Sequence, residues 1–211
     1  KDFINGRHND RIGLVVFAGE SFTQSPLTTD KATLITLLSR VKEGMIDDGT
    51  AIGNGLATAV NRLRESTAVS KVIILLTDGV NNSGQVAPLT AAEIAQAFGI
   101  RVYTIGVGTI GKAPYPAYDR AGRLVYVQAD VEIDEEVLTQ ISEMTGGKYF
   151  RATDNSKLQS IYEEINQLEK TKIEVDSQTR WFEQFMIYVL IALGLLVVEM
   201  LIRYFYIRQI P

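Results

Sequence analysis

Three short apolar runs constrain the fold of this chain more than any other feature of its sequence. They are rich in valine, isoleucine and leucine, and each ends in glycine or polar residues: RIGLVVFAG at 11–19, KVIILLTDG at 71–79 and RVYTIGVG at 101–108. Because apolar and polar residues do not alternate within them, the runs are typical of β-strands covered on both faces. Such strands occur mainly in parallel sheets that carry helices on either side.

Segments with helical periodicity lie between and after these runs. Their apolar residues recur every three or four positions, in four stretches: 34–41, 52–63, 92–98 and 137–144. Another strand is predicted at 146–152, and Ser156 with Gln159 forms a capping-box signature for a last helix. Pro26 restricts residues 21–28 to a short edge strand. Strands alternating with helices predict an α/β fold with a doubly wound, mostly parallel sheet.

The composition argues against nucleic-acid binding and thiol chemistry. The 211 residues carry a formal net charge of −4 and include no cysteine. The chain therefore lacks the basic surplus that binds a phosphate backbone, and it cannot form disulfides or thiolate metal sites.

The glycine-rich stretch GVGTIGKA at 106–113 partly matches two nucleotide-binding motifs. Both motifs need a helix that begins directly after the glycines, so that its N-terminus faces the phosphate. Here Pro114 and Pro116 follow closely, and Ala113 stands where a serine or threonine would contact Mg²⁺. We predict a loop and a small hairpin at this place, and no nucleotide site.

The C-terminal segment is the most apolar part of the chain. Residues 185–202, FMIYVLIALGLLVVEMLI, contain one charged residue, Glu199, and aromatic residues flank them on both sides. This length and composition predict a transmembrane helix over 185–207. A buried helix of a soluble domain is the alternative.

The predicted span divides the chain into a domain over 1–170, a polar linker at 171–184, the span itself and a tail at 208–211. Arg203 and Arg208 follow the apolar stretch 185–202 closely, which favours a cytoplasmic C-terminus and a domain on the outer, periplasmic face of a bacterial inner membrane.

Polar residues follow the predicted strands at the points where they end. Ligands of such sheets bind beyond the carboxyl ends of the strands, which makes candidates of Glu20, Ser21, Asp78, Asn81, Asn82 and Ser83. Thr50 belongs with them, because it precedes a helix whose N-terminus should face the same edge. Asp78 is interpreted as an Asx-turn or a cation ligand, and Thr50 as a helix N-cap or a hydroxyl ligand. Oxygen ligands suit Mg²⁺, Mn²⁺ or Ca²⁺ better than Zn²⁺.

Several segments resemble the von Willebrand factor type A (VWA) domain in their order and spacing. They are DRIGLVVFAG at 10–19, GTAIGNGLATAVNRL at 49–63 and KVIILLTDGVNNSG at 71–84. The segment from 132 to 174, with the apolar helix after it, is similar to BatA-type proteins of the Bacteroides aerotolerance (Bat) family.

The resemblance implies a metal-ion-dependent adhesion site (MIDAS), built from an Asp-x-Ser-x-Ser motif, a threonine and an aspartate. Thr50 matches the threonine and Asp78 the aspartate. The chain contains no Asp-x-Ser-x-Ser, so we expect the first strand and the remaining ligands upstream of Lys1, and no metal binding by residues 1–211 alone.

The resemblance also implies a function. We expect a membrane-anchored, non-enzymatic module that binds proteins through a divalent cation, Mg²⁺ or Mn²⁺, with Ca²⁺ possible. Its implied partners are other Bat-family proteins and a MoxR-type AAA+ ATPase, beside the lipid bilayer. A metal-free scaffold with a degenerate site and a metal-dependent hydrolase are the alternatives.

The strand order of the VWA fold makes a further prediction. In that order, 3-2-1-4-5-6, the expected upstream strand lies at the centre, between residues 11–18 and 71–77. These two segments should therefore form no ladder with each other.

Overall fold

The computed structural model describes residues 2–7, 10–108, 111–118, 123–131 and 133–206. Its helices are α1 (Asp2–Asn5), α2 (Lys31–Ser39), α3 (Ile52–Leu63), α4 (Pro88–Ala97), α5 (Glu135–Met144) and α6 (Asn155–Tyr206). Its strands are β1 (Ile12–Phe17), β2 (Ser21–Thr28), β3 (Val72–Thr77), β4 (Arg101–Val107), β5 (Gly111–Tyr118), β6 (Leu124–Val131) and β7 (Tyr149–Ala152). This alternation confirms the predicted α/β class.

Strands β3, β4 and β7 form a parallel sheet with β4 in the middle. Val72 pairs with Arg101 at one end of the β3–β4 ladder and Thr77 with Gly106 at the other, while Thr104 of β4 pairs with Tyr149 of β7. The core lies between this sheet and α3, α4 and α5. The carboxyl ends of β3 and β4 consequently reach the same edge.

Strands β1 and β2 form a separate antiparallel pair. Residues 21–28 form the short strand predicted there, and Phe17 pairs with Ser21 beside the turn. Among the described strands, β1 and β3 share no ladder, in agreement with the strand order that the resemblance implies. The run at 11–19, expected to be covered on both faces, is only partly covered in β1, because each of its side chains is at least partly exposed.

Two glycines allow α3 to pack closely against its neighbours. A Cβ on Gly53 would lie 1.9 Å from the carbonyl oxygen of Val86, and one on Gly55 would lie 2.8 Å from the Phe17 ring. The GNG sequence at 53–55 therefore lets one helix contact both the segment after β3 and strand β1.

The glycine-rich stretch after β4 leads into a hairpin. Strand β5 pairs antiparallel with β6 from Gly111↔Val131 to Tyr118↔Leu124. The predicted hairpin is thus confirmed, and a strand rather than a helix follows Gly111. That geometry does not present a helix N-terminus to a phosphate.

The chain divides into two compact units, 1–165 and 166–211, a boundary five residues before the one predicted. The last helix begins near Asp154, whose carboxylate accepts the Lys157 N–H at 2.8 Å. The predicted capping box at Ser156 and Gln159 is therefore wrong, because the helix begins one residue before Ser156 and is capped by Asp154.

The backbone of the predicted linker, 171–184, is part of α6. Within the part of the chain that the structure describes, no helix meets the length and apolarity needed to cross a membrane. The predicted span extends beyond this part, since residue 207 and the side chains of 185–187 lie outside the description, as does the tail at 208–211. The apolar side chains from Tyr188 to Tyr204 that the structure describes are exposed, from 41% for Val189 to 71% for Met200.

Candidate metal-binding edge of the sheet

Three loops meet at the carboxyl edge of β1 and β3: residues 18–20, 47–51 and 78–86. Gly19 N–H donates to the Asp47 carbonyl at 2.8 Å, and Ala51 N–H donates to the Ala18 carbonyl at 2.6 Å. On the other side, Asn82 N–H donates to the Thr50 carbonyl at 3.0 Å. The loop that carries Thr50 is therefore held between the loops that follow β1 and β3.

The Thr50 hydroxyl is not used to cap α3. That helix has Ala51 as its N-cap, without a side-chain hydrogen bond, so the interpretation of Thr50 as N-cap is wrong. Thr50 Oγ1 instead lies 3.3 Å from the position that a Cβ on Gly79 would occupy. The hydroxyl thus faces the residue that follows Asp78.

Asp78 is exposed at the end of β3. The turn after it is closed by its neighbour Thr77, whose hydroxyl accepts the Gly79 N–H at 3.3 Å, so the Asx-turn interpretation of Asp78 is not supported. Within the described residues Asp78 takes part in no hydrogen bond or ion pair. Its carboxylate is therefore available to a ligand at the edge where the Thr50 hydroxyl lies.

The other candidate residues are distributed unevenly around this edge. Glu20, Asp47 and Asp48 are exposed on the neighbouring loops. Ser21 is engaged elsewhere, because its hydroxyl shares a 2.8 Å hydrogen bond with that of Thr58 on α3. The described residues contain no group of three or more histidine, cysteine, aspartate or glutamate side chains that could hold a metal ion.

Three asparagine side chains connect the loops through backbone N–H groups. Asn82 Oδ1 accepts the Thr50 N–H at 2.8 Å, and Asn81 Oδ1 accepts the Gly53 N–H at 3.4 Å. In the opposite direction, Asn54 Oδ1 accepts the N–H groups of Gln85 and Val86 at 3.1 and 3.0 Å. Sequence reasoning placed Asn81 and Asn82 at the edge but missed this role and missed Asn54. The GNG and NNS triplets show that the asparagines are there, but not which backbone groups they bond.

Fold and loops together define an α/β domain with a parallel sheet, packed helices and a polar site at the carboxyl edge of the sheet. The chain belongs to the von Willebrand factor type A domain family, whose model matches residues 1–164.

Solved structures of this fold include two from Bacteroides. An aerotolerance-related membrane protein of Bacteroides fragilis is 31% identical, with a TM-score of 0.64 over 78% of this chain and 81% of the other. BatB of Bacteroides thetaiotaomicron is 30% identical, with a TM-score of 0.63 over 80% of this chain and 84% of the other. These two structural neighbours are Bat-family VWA proteins.

A third structure is that of proximal thread matrix protein 1 from the mussel byssus, solved with zinc in its MIDAS motif. It is 26% identical, with a TM-score of 0.60 over 80% of this chain and 38% of the other. Among curated relatives, an uncharacterized protein of Borreliella burgdorferi is 28% identical over the whole chain, which spans 62% of that relative's length.

Proposed function

We propose that this chain is part of a membrane-associated, non-catalytic module that binds partner proteins through a divalent cation held by Thr50 and Asp78. The observation that carries the proposal is the pair of oxygen groups at one edge: a threonine hydroxyl that faces Gly79, and the carboxylate of the preceding Asp78, which is exposed and has no partner among the described residues.

The chemistry of these groups supports a hard cation. Hydroxyl and carboxylate oxygens favour Mg²⁺, Mn²⁺ or Ca²⁺. The remaining ligands would come from residues encoded upstream of Lys1, and one coordination position would stay open for an acidic side chain of a partner. The byssus protein, which holds zinc in its MIDAS motif, supports a metal at this kind of edge. Bat-family proteins and a MoxR-type AAA+ ATPase are the proposed partners.

Membrane association is proposed for the helix α6. Its apolar side chains between Tyr188 and Tyr204 are exposed in large number, and a soluble protein rarely exposes so many together. The related Bacteroides fragilis protein is described as a membrane protein. We propose that residues 185–207 hold the chain at the inner membrane, with the VWA domain on the periplasmic side.

A hydrolase that uses the same cation is the weaker proposal. The loops at 18–20, 47–51 and 78–86 contain no histidine, cysteine or lysine, their only bases are carboxylates, and the Ser83 hydroxyl already donates to Asn82. Turnover assays with nucleotides and phosphoesters test this alternative directly. A metal-free scaffold is separated from the leading proposal by metal titration.

Calorimetric titration with MnCl₂ tests the cation site in the protein extended by the residues upstream of Lys1. We expect Asp78→Ala to weaken Mn²⁺ binding by about 10- to 100-fold, as loss of a group that supports a metal site does. Glu93→Ala, which removes an exposed carboxylate from α4, is the matched control and should leave the affinity unchanged. Equal affinities in wild type and Asp78→Ala would remove Asp78 from the site.

Carbonate extraction of membranes tests the anchor. We expect the full chain to stay in the pellet and a chain ending at Thr179 to be extracted. If both are extracted equally, residues 185–207 do not hold the protein in the membrane.

A further inference from the structure

The segment between β3 and α4 has no regular secondary structure over residues 78–87, yet it contacts the loop before α3 through directed bonds. Asn82 forms hydrogen bonds with both backbone groups of Thr50. Its Oδ1 accepts the Thr50 N–H at 2.8 Å, and its own N–H donates to the Thr50 carbonyl at 3.0 Å. A residue held at both its N–H and its C=O has little freedom to rotate.

The neighbouring serine completes this arrangement. The Ser83 hydroxyl donates to Asn82 Oδ1 at 3.0 Å, so the side-chain oxygen of Asn82 receives two donors and its amide is fixed in one orientation. Ser83 N–H also reaches the Thr50 carbonyl, at 3.3 Å. Gly49, with φ of +140°, leaves room for this contact, since a Cβ there would lie 2.3 Å from Ser83 Oγ.

The consequence concerns the direction of the Thr50 hydroxyl. With the backbone of Thr50 fixed by Asn82, Oγ1 points to Gly79, whose own position is set by the hydroxyl of Thr77. The side chains of Asn82 and Thr77 therefore hold the loops of Asp78 and Thr50 in place. They do so without bonding to the Asp78 carboxylate or the Thr50 hydroxyl. Asn81 contributes less, through a single 3.4 Å bond that it accepts from the N–H of Gly53, the second residue of α3.

We propose that Asn82 is a positioning residue, which sets the Thr50 hydroxyl opposite Asp78 without itself contacting the cation. That Asn82 fixes Thr50 follows from the hydrogen bonds alone. That this affects cation binding rests on the proposed function. It assigns to Asn82 a role distinct from that of a ligand and from that of the adjacent Asn81.

Three variants test it: Asn82→Ala, Asn82→Asp and Asn81→Ala. Aspartate retains an oxygen that accepts the Thr50 N–H, whereas alanine does not. Amide hydrogen exchange of the peptide containing Thr50, measured in residues 1–211 without metal, should accelerate about tenfold in Asn82→Ala. It should stay within about threefold of wild type in Asn82→Asp and Asn81→Ala.

Mn²⁺ titration of the same variants in the upstream-extended protein gives the second readout. We expect an affinity about tenfold lower in Asn82→Ala, no loss in Asn82→Asp and a change of less than about threefold in Asn81→Ala. Unchanged exchange at Thr50 in Asn82→Ala, or equal losses in the alanine variants at 81 and 82, overturns the positioning role. If the wild-type protein binds no Mn²⁺, the proposed function fails, and the exchange experiment still decides whether Asn82 fixes Thr50.

Discussion

The parallel sheet and the β1–β2 pair each contain an apolar run, in β4 and in β1, but the side chains of these two strands are buried to different extents. In β4, the side chains from Val102 to Ile105 are at most 1% exposed, whereas every side chain of β1 is at least partly exposed. Strand β4 has a strand on each side and packs against α4 and α5, while β1 pairs only with β2 among the described strands. An apolar run therefore predicts a strand, but its neighbours decide how far it is buried.

Truncation of an apolar side chain in each region gives the largest expected difference. Ile105→Ala in β4 should lower the free energy of unfolding by about 2–5 kcal/mol, because Ile105 is fully buried and a cavity would remain. Val15→Ala in β1 should lower it by about 1 kcal/mol or less, since that side chain is only half-buried. Urea unfolding followed by circular dichroism measures both, and equal losses would contradict the comparison.

Removal of one hydroxyl group in each region should give a smaller difference in the free energy of unfolding, again with the larger loss at the parallel sheet. Thr145 Oγ1 accepts the buried Val102 N–H of β4 at 3.0 Å, so Thr145→Val leaves that donor unpaired and should cost about 1–3 kcal/mol. Thr58→Val removes the bond to Ser21 beside the β1–β2 turn, where solvent reaches the partner, and should cost about 0.5–1 kcal/mol. A larger loss from Thr58→Val in the urea experiment would contradict the comparison, because the bond between α3 and β2 would then stabilise the fold more than the buried bond between Thr145 and β4.

Two glycines of α3 allow the two regions to be compared within one helix, because Gly53 lies against the segment after β3 and Gly55 lies against β1. Gly53→Ala places a methyl group against a backbone carbonyl that cannot rotate away, so overpacking of about 1–3 kcal/mol should exceed the helix-propensity gain of about 1 kcal/mol. Gly55→Ala meets the ring of Phe17, a half-buried side chain that can shift. We expect the melting temperature to fall for both variants, and to fall further for Gly53→Ala than for Gly55→Ala. A fall of equal size for both variants would mean that β1 is packed as rigidly as the segment around Val86.

These comparisons also indicate how much the sequence predicts. The edge strand at 21–28 and the hairpin after Gly108 follow from local residues. Proline fixes φ and removes an N–H donor wherever it stands, and glycine permits backbone conformations that other residues avoid. Thr50 and Ser156 resemble N-caps in sequence, but the helices begin at Ile52 and Asn155. Propensity favours several start positions equally, and packing selects among them.

The candidate site was predicted less completely than the fold. Strand ends identify Asp78, and the resemblance identifies Thr50, but the bond from Asn54 to Gln85 and Val86 joins residues about thirty positions apart. No local pattern specifies such a partner. It depends on how α3 lies against the loop after β3, which only the assembled fold determines.

The smallest expected effects come from two aspartate caps, one for each region. Asp30 caps α2, which packs on β1 and β2, and its carboxylate accepts the Thr33 hydroxyl at 2.6 Å and the Thr33 N–H at 3.0 Å. Asp154 caps α6 directly after β7 and accepts the Lys157 N–H. The Thr33 hydroxyl and N–H hold the pKa of Asp30 below its ordinary value of 3.8, and the Lys157 N–H with the Thr153 hydroxyl does the same for the pKa of Asp154.

Because the folded pKa of each group is lowered, its contribution to stability is complete above pH 3.8 and disappears as the pH falls through the folded pKa. Asp30→Ala and Asp154→Ala should therefore lower the melting temperature at pH 6, and each gap to wild type should narrow below pH 3.8. Asp30→Asn and Asp154→Asn keep an acceptor for the helix N–H and should lie between wild type and alanine at pH 6. Since α6 follows the better buried sheet, we expect Asp154→Ala to have the larger effect. A gap that stays constant from pH 6 to pH 3 would mean that the carboxylate charge contributes nothing to the cap.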